Sequence, residues 1–182
     1  METHERQLVL DQLISSEGRL LQLVNGLTPK QWTFRETSER WSIAENIEHL
    51  IAFEIFVARA IARAINTPAE PDKKAQSPTK DPIVLGLAST RSIRFDARKS
   101  VHPTGRWSNT TKMVSELRKT RARTLAFAAV TDADLREYFF PHIAFGDLDC
   151  YQWLVVVGQH GTRHALQIEQ IKADPASPLR NR

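Results

Sequence analysis

Apolar residues recur at the three- and four-residue spacing of an α-helix in four stretches of the chain, with polar residues between them. The first runs over about 3–25, where Leu10, Leu13, Ile14, Leu20, Leu21 and Val24 make the stripe; Gly26 stops it and Pro29 prevents its resumption. The second runs over about 42–65. Ser42 and Glu45 open it with a capping box, and Leu50, Phe53, Val57 and Ile61 carry the stripe. The third, about 108–129, sets Met113, Leu117, Arg121, Thr124, Leu125 and Ala128 on one side. The fourth, about 149–173, opens with Asp149 and Gln152 at the same box spacing and closes before Pro175. No proline falls inside any of the four, and each is longer than an average globular helix. The pattern predicts an all-α four-helix bundle of antiparallel type, without a substantial sheet.

Between the second and third helices lies a stretch of about 67–107, punctuated by Pro68, Pro71, Pro78, Pro82 and Pro103. A bundle loop usually takes about 2–8 residues. This one therefore either crosses the bundle or covers a site. At 182 residues the chain is expected to form one domain, 1–182, with a frayed tail over 175–182.

The net charge of +4 conceals an asymmetry. Residues 91–123 carry ten Lys/Arg against Asp96 and Glu116, while the remainder holds 15 basic and 19 acidic residues. A basic segment suits an anionic ligand or nucleic acid. Only Phe95 and Trp107 interleave as stacking partners, so a solvated loop and helix face is the preferred reading and nucleic acid is not the expected partner. No stretch is apolar and long enough to span a membrane, and the N-terminus shows no cationic region followed by an apolar one. The single cysteine, Cys150, excludes an internal disulfide and a thiolate cage and fits a reducing cytoplasm, the expected location. At the start of the fourth helix its pKa could be lowered by the helix dipole. It lies about ten residues from His160, too far for a catalytic role.

The chemistry is carried by histidines. His160 and His164 stand four apart on the fourth helix, so both imidazoles share one face and can reach one cation. Two ligands rarely suffice, and His49 on the second helix supplies a third. Three histidines from two helices leave coordination positions open, which points to chemistry more than to a structural role. Zn, Ni, Fe and Co all accept such a set. Trp153, Val157, Ile168 and Ile171 lie on or beside the same face and predict partial burial. Glu45, one turn before His49, could act as a base, although the capping box already employs it. Gln167, one turn after His164, could orient that ring or a water. Arg121 interrupts an apolar stripe and could bind a carboxylate (or, on the family resemblance given below, the anion of a thiol cofactor), or pair with an acid such as Glu17. His102 and His142 sit beside prolines and could supply a fourth ligand, with solvated loop histidines as the simpler reading. Gly161, Thr162 and Arg163 fill the histidine motif, so the glutamate base of the zincins is missing.

In their order and spacing these motifs resemble the DinB-like (damage-inducible) metalloprotein superfamily. Trp41-Ser42-x-x-Glu45-x-x-x-His49-Leu50 is similar to its second-helix signature, and His160-x-x-x-His164-x-x-Gln167-Ile168 to that of its last helix. Pro103-Thr104-Gly105-Arg106-Trp107-Ser108 followed by Leu117-x-x-x-Arg121 resembles the entry and body of the third helix. Pro141-His142-x-x-Phe145-Gly146-x-Leu148 with Trp153-Leu154 resembles the lead into the fourth. The resemblance spans essentially the whole chain. It implies up-down-down-up connectivity, a divalent metal on His49, His160 and His164, and a homodimer. It also implies activity on a small-molecule substrate: S-transfer with a low-molecular-weight thiol, isomerisation or hydrolysis, which these motifs do not distinguish. A non-catalytic metal-binding bundle, structural or sensory, is the alternative.

Overall fold

The computed structural model describes residues 1–87 and 98–178. In chain order the elements are α1 (Thr3–Val24), α2 (Pro29–Thr33), α3 (Ile43–Ala64), α4 (Pro71–Lys74), α5 (Asp81–Leu85), α6 (Thr110–Val130), β1 (Phe139–His142), β2 (Gly146–Asp149) and α7 (Cys150–Ala173). The four long helices make the bundle. The strands form one antiparallel hairpin, with Phe139 opposite Asp149 and His142 opposite Gly146. Ser42 with Glu45 caps α3, and Asp149 with Gln152 caps α7, each by a reciprocal box.

Two sequence expectations need correction. Ile14 is 57% exposed, and the buried row of α1 is Glu5, Val9, Leu13, Ser16, Leu20 and Val24. Ile14 follows Leu13 directly and is rotated about 100° from it, which carries it off the face. Pro29 does not keep the chain from resuming a helix. It occupies the first position of α2, where its missing N–H has no helical partner to lose, and Thr28 with Gln31 caps that turn.

Side-chain contacts set the helix directions. Arg6 donates to the carbonyls of Ala128 and Thr131 and Arg121 to that of Leu13, so α6 opposes α1. Gln12 lies against Gly158, Ser16 against Gly161, and Arg19 bonds Glu169, so α7 runs with α1. Asn46 meets His164 and Phe53 meets His160, so α3 opposes α7. The connectivity is up-down-down-up. Because α3 and α6 are parallel, the chain must travel back along a 22-residue helix, about 33 Å, before α6 starts. That return accounts for the long second connection.

The core has two apolar halves. One gathers Val9, Leu13, Val57, Ile61, Trp153 and Leu154; the other gathers Leu20, Ile43, Ile47, Met113, Leu117 and Ile168. A polar belt lies between them. Within it Arg121 is buried and pairs with buried Glu54 at 2.9 Å, while its other nitrogen reaches Leu13 O and Ser16 Oγ. The close approach of α1 and α7 uses two bare positions on α7: a Cβ at Gly158 would lie 2.9 Å from Gln12 Cβ, and one at Gly161, in the belt, 3.1 Å from Ser16 Cβ.

The described part of the crossover is tied down by a second buried node. Arg136 binds Glu5 at 2.6 Å, Asp81 at 2.7 Å and Asp149 at 3.0 Å, and its guanidinium lies 4.0 Å from the Tyr151 ring centre. Gln152 adds bonds to Ser77 O and Asp81, and Ser77 donates to Asp149. One side chain thus joins α1, α5 and the start of α7. No helix among the described residues is long and apolar enough to cross a membrane.

Candidate metal centre

The four-residue spacing on α7 turns His160 and His164 toward α3, which brings His49 to meet them. His160 Nε2 lies 3.3 Å from His49 Nε2 and 3.1 Å from His164 Nε2. His49 Nδ1 donates to the carbonyl of Val101 at 2.8 Å, so in the neutral ring Nε2 carries the lone pair. His164 is set the same way: its Nδ1 donates to Asn46 Oδ1 at 2.7 Å, and the Asn46 amide nitrogen donates to the carbonyls of Trp41 and Ser42. Nδ1 of His160 is buried without a partner. A proton on its Nε2 can serve only one of the two facing nitrogens, which leaves lone pairs turned on one another.

A cation removes that conflict. Two nitrogens bound to one tetrahedral ion at about 2.0–2.1 Å stand roughly 3.3 Å apart, close to the separations found here. Among the described residues no carboxylate or thiol joins the three-histidine cluster. The donor set therefore fits a divalent ion that prefers imidazole, such as Zn, Ni, Fe or Co.

The cluster faces a cavity of about 820 Å³, large enough for a small molecule. Phe53 packs 4.2 Å from His160 and Trp41 4.8 Å from His49, centre to centre. Burial pushes His160 and His164 well below the ordinary imidazole range, and the neighbouring rings and Arg163 add to it. Burial also lowers His49, against the opposing bond to Val101. His142, beside the same cavity, is brought down to about 4 by burial and by Arg98.

All four rings thus refuse protons in the folded protein that the unfolded chain accepts near pH 6.5. The histidine contribution to stability is complete above that value and is lost as pH falls toward the folded pKa values. Chelator-treated protein is expected to show a thermal midpoint that declines steadily from pH 6.5 to 5; a flat profile over that range would contradict it.

The position of Asn46, three residues before His49 on the same helical face, is the one sequence signal for its role. Asn46→Leu removes the acceptor for His164 and is expected to weaken metal binding about 10–100-fold, read by calorimetric titration. Asn46→Asp, which keeps an acceptor, should recover most of it. Equal affinity in the wild type and Asn46→Leu would remove Asn46 from the site. The Val101 carbonyl had no sequence signal, since any residue offers one.

The remaining candidates separate clearly. Gln167 lines the cavity, as do His102 and His142, which stay outside the cluster. Glu45 does not line it. It accepts from Ser42 N at 2.8 Å and from Arg35, which occupies it as a cap. Arg121 is no anion site: it is buried in the belt and its partner is Glu54, not Glu17. Glu17 instead has a pKa raised by burial, partly offset by Arg121 and Arg118. Cys150 is buried, and burial and Asp149 push its thiol up to about 12, so the helix dipole does not prevail. The basic segment does not form one face among the described residues. Arg121 is withdrawn, Arg98 and Lys99 line the cavity, and Arg118, Lys119 and Arg123 remain exposed on α6. Arg91, Arg94 and Phe95 lie outside the described residues.

Glu48, beside His49, carries no local signal in the sequence. Its buried carboxylate accepts from Thr104 N at 2.7 Å, Thr104 Oγ1 at 3.1 Å, Gly105 N at 3.0 Å and Arg106 N at 3.2 Å. Burial alone would raise its pKa, but these donors outweigh it and leave the group lowered.

Fold and site together define a class: a four-helix bundle of up-down-down-up connectivity with three imidazoles converging at the wall of an open cavity. The chain belongs to the DinB superfamily, whose sequence model matches residues 12–168. It is similar to the uncharacterised protein YuaE of Bacillus subtilis (strain 168), with 25% identity over 150 residues, 82% of this chain and 88% of that protein. Its fold is similar to that of YfiT from Bacillus subtilis, described as a probable metal-dependent hydrolase with an unusual four-helix bundle topology. That likeness has a TM-score of 0.67 at 13% identity, over 95% of this chain and 89% of the other.

Proposed function

We propose that this protein is a metal-dependent enzyme in which His49, His160 and His164 hold one divalent ion, and that it acts on a small molecule by thiol transfer or hydrolysis. The observation that carries this reading is the convergence of three imidazole Nε2 atoms, two of them oriented by bonds to Nδ1, beside a cavity. A structural ion is typically enclosed by four protein ligands, and an open cavity on a three-ligand cluster suits catalysis better. A divalent ion there would supply Lewis-acid chemistry and would activate water or a thiol as nucleophile near neutral pH. The description of YfiT supports the hydrolytic form.

One feature of the chain favours the thiol. The aromatic wall of Trp41, Phe53 and Trp153 would seat an apolar electrophile and exclude bulk water. A homodimer in the cytoplasm completes the proposal, with light scattering at twice the chain mass as the check on assembly.

The test begins with metal analysis of tag-free protein. The same sample is then assayed with a thiol plus an electrophile, and separately with ester and amide substrates without thiol. Activity should disappear on chelation and return on adding the ion back. Activity indifferent to chelation would overturn the reading.

A further inference from the structure

Glu48 and His49 are neighbours on α3, and both grip the same short piece of chain. His49 holds the carbonyl of Val101, at the end of a 3₁₀ turn over Lys99–Val101; Glu48 holds the N–H groups of Thr104, Gly105 and Arg106. Between the two grips stand only His102 and Pro103, and the proline ring restricts both its own φ and the conformation of His102 before it. Successive backbone N–H groups gathered on one anion form a nest, an arrangement that binds negative charge. Here the anion is the chain's own carboxylate. Gly105 adopts φ +73°, the left-handed conformation that the nest requires and that glycine takes without strain.

We propose that Glu48 is the positioning residue of the metal centre: its carboxylate latches residues 104–106 and thereby holds the Val101 carbonyl where it orients His49. The inference rests on the reading of His49 as a metal ligand, but its central statement concerns a ring orientation that exists without metal. A carbonyl on a free loop would drift from His49 Nδ1, and the ring would then sample both tautomers. The latch prevents this. Four donors on one carboxylate make it strong, and a neutral amide at the same place accepts on a single oxygen. The same strap carries Lys99, Val101 and His102 to the cavity wall, so the latch also shapes the space beside the cluster.

The competing account is that the buried Val101 side chain alone holds the strap and that Glu48 is a stability element. The two accounts part on His49. In chelator-treated, ¹⁵N-labelled full-length protein, long-range ¹H–¹⁵N correlation of the imidazoles reports each tautomer. Wild-type His49 and His164 should both be the Nδ1–H form. In Glu48→Gln, His49 is expected to become a mixture of tautomers while His164, held by Asn46, stays unchanged as an internal control. Amide exchange at 104–106 should accelerate at least about tenfold, and metal affinity should fall about 10–100-fold.

Gly105→Ala attacks the latch from the other side and guards against a folding failure at position 48. A Cβ there would meet nothing within 4 Å, so only the backbone conformation is strained. It should produce the same redistribution of His49, to a smaller degree. If both variants keep His49 in a single Nδ1–H form, the latch is overturned. If His49 redistributes as expected while wild-type protein takes up no divalent ion, the latch stands and the metal reading falls.

Discussion

Replacing His160 with alanine is expected to lower divalent-metal affinity by at least about a hundredfold while leaving the helical fold in place. A structural zinc site is worth about 10–16 kcal/mol, so one nitrogen among a few contributes on the order of 3 kcal/mol. His160 is the centre of the cluster, within 3.3 Å of both other Nε2 atoms, so its loss leaves two ligands with no member that neighbours both. The fold should survive because the apolar halves of the core lie on either side of the belt and do not include it. Metal-free variant and wild type should therefore melt within about 1 kcal/mol of each other, since removal also relieves lone pairs facing one another. Only the wild type should gain stability on adding the ion, as ligand linkage requires. A His160→Ala protein that retained a full equivalent of metal at unchanged affinity would refute the three-histidine assignment.

Arg136→Met is expected to be the most damaging single change to stability away from the histidines, at about 3–5 kcal/mol. The substitution keeps much of the aliphatic volume and removes the positive charge from three carboxylates, of which Asp149 is fully buried and Glu5 nearly so. Burial already raises the pKa of Asp149 in spite of its donors, so without Arg136 that group must take up a proton or remain an unpaired charge. A drop in thermal midpoint on the order of 10 °C or more is anticipated for a domain of this size. Urea denaturation would measure it directly. A loss below about 1 kcal/mol would show that the node is a peripheral decoration.

The bundle was legible because its signals are local. Helix periodicity and the boxes at Ser42–Glu45 and Asp149–Gln152 depend on residues at most a few positions apart. The pairing of His160 with His164 was legible for the same reason. What could not be read was set by tertiary contact. Arg121 looked like an anion site because an arginine in an apolar stripe is anomalous, and only the fold reveals that Glu54 waits across the belt. Cys150 shows two local influences in competition, with burial outweighing the helix dipole. The partners of His49 and Glu48 come from a proline-rich connection whose path has no periodicity, so a carbonyl and three amides could not be assigned beforehand.

The separation of 111 residues between His49 and His160 has a kinetic side. A ribosome adding about 5–20 residues per second exposes His49 roughly 6–20 s before His160 follows. Through that interval α1 and α3 have no α7 to bury against, and both faces that later enclose the histidines are open to water and to chaperones. Metal capture by the full cluster cannot precede docking of α7, so a bound ion reports that this helix has docked. A chain truncated anywhere before α7 would carry one histidine of the three and none of the helix that closes the core.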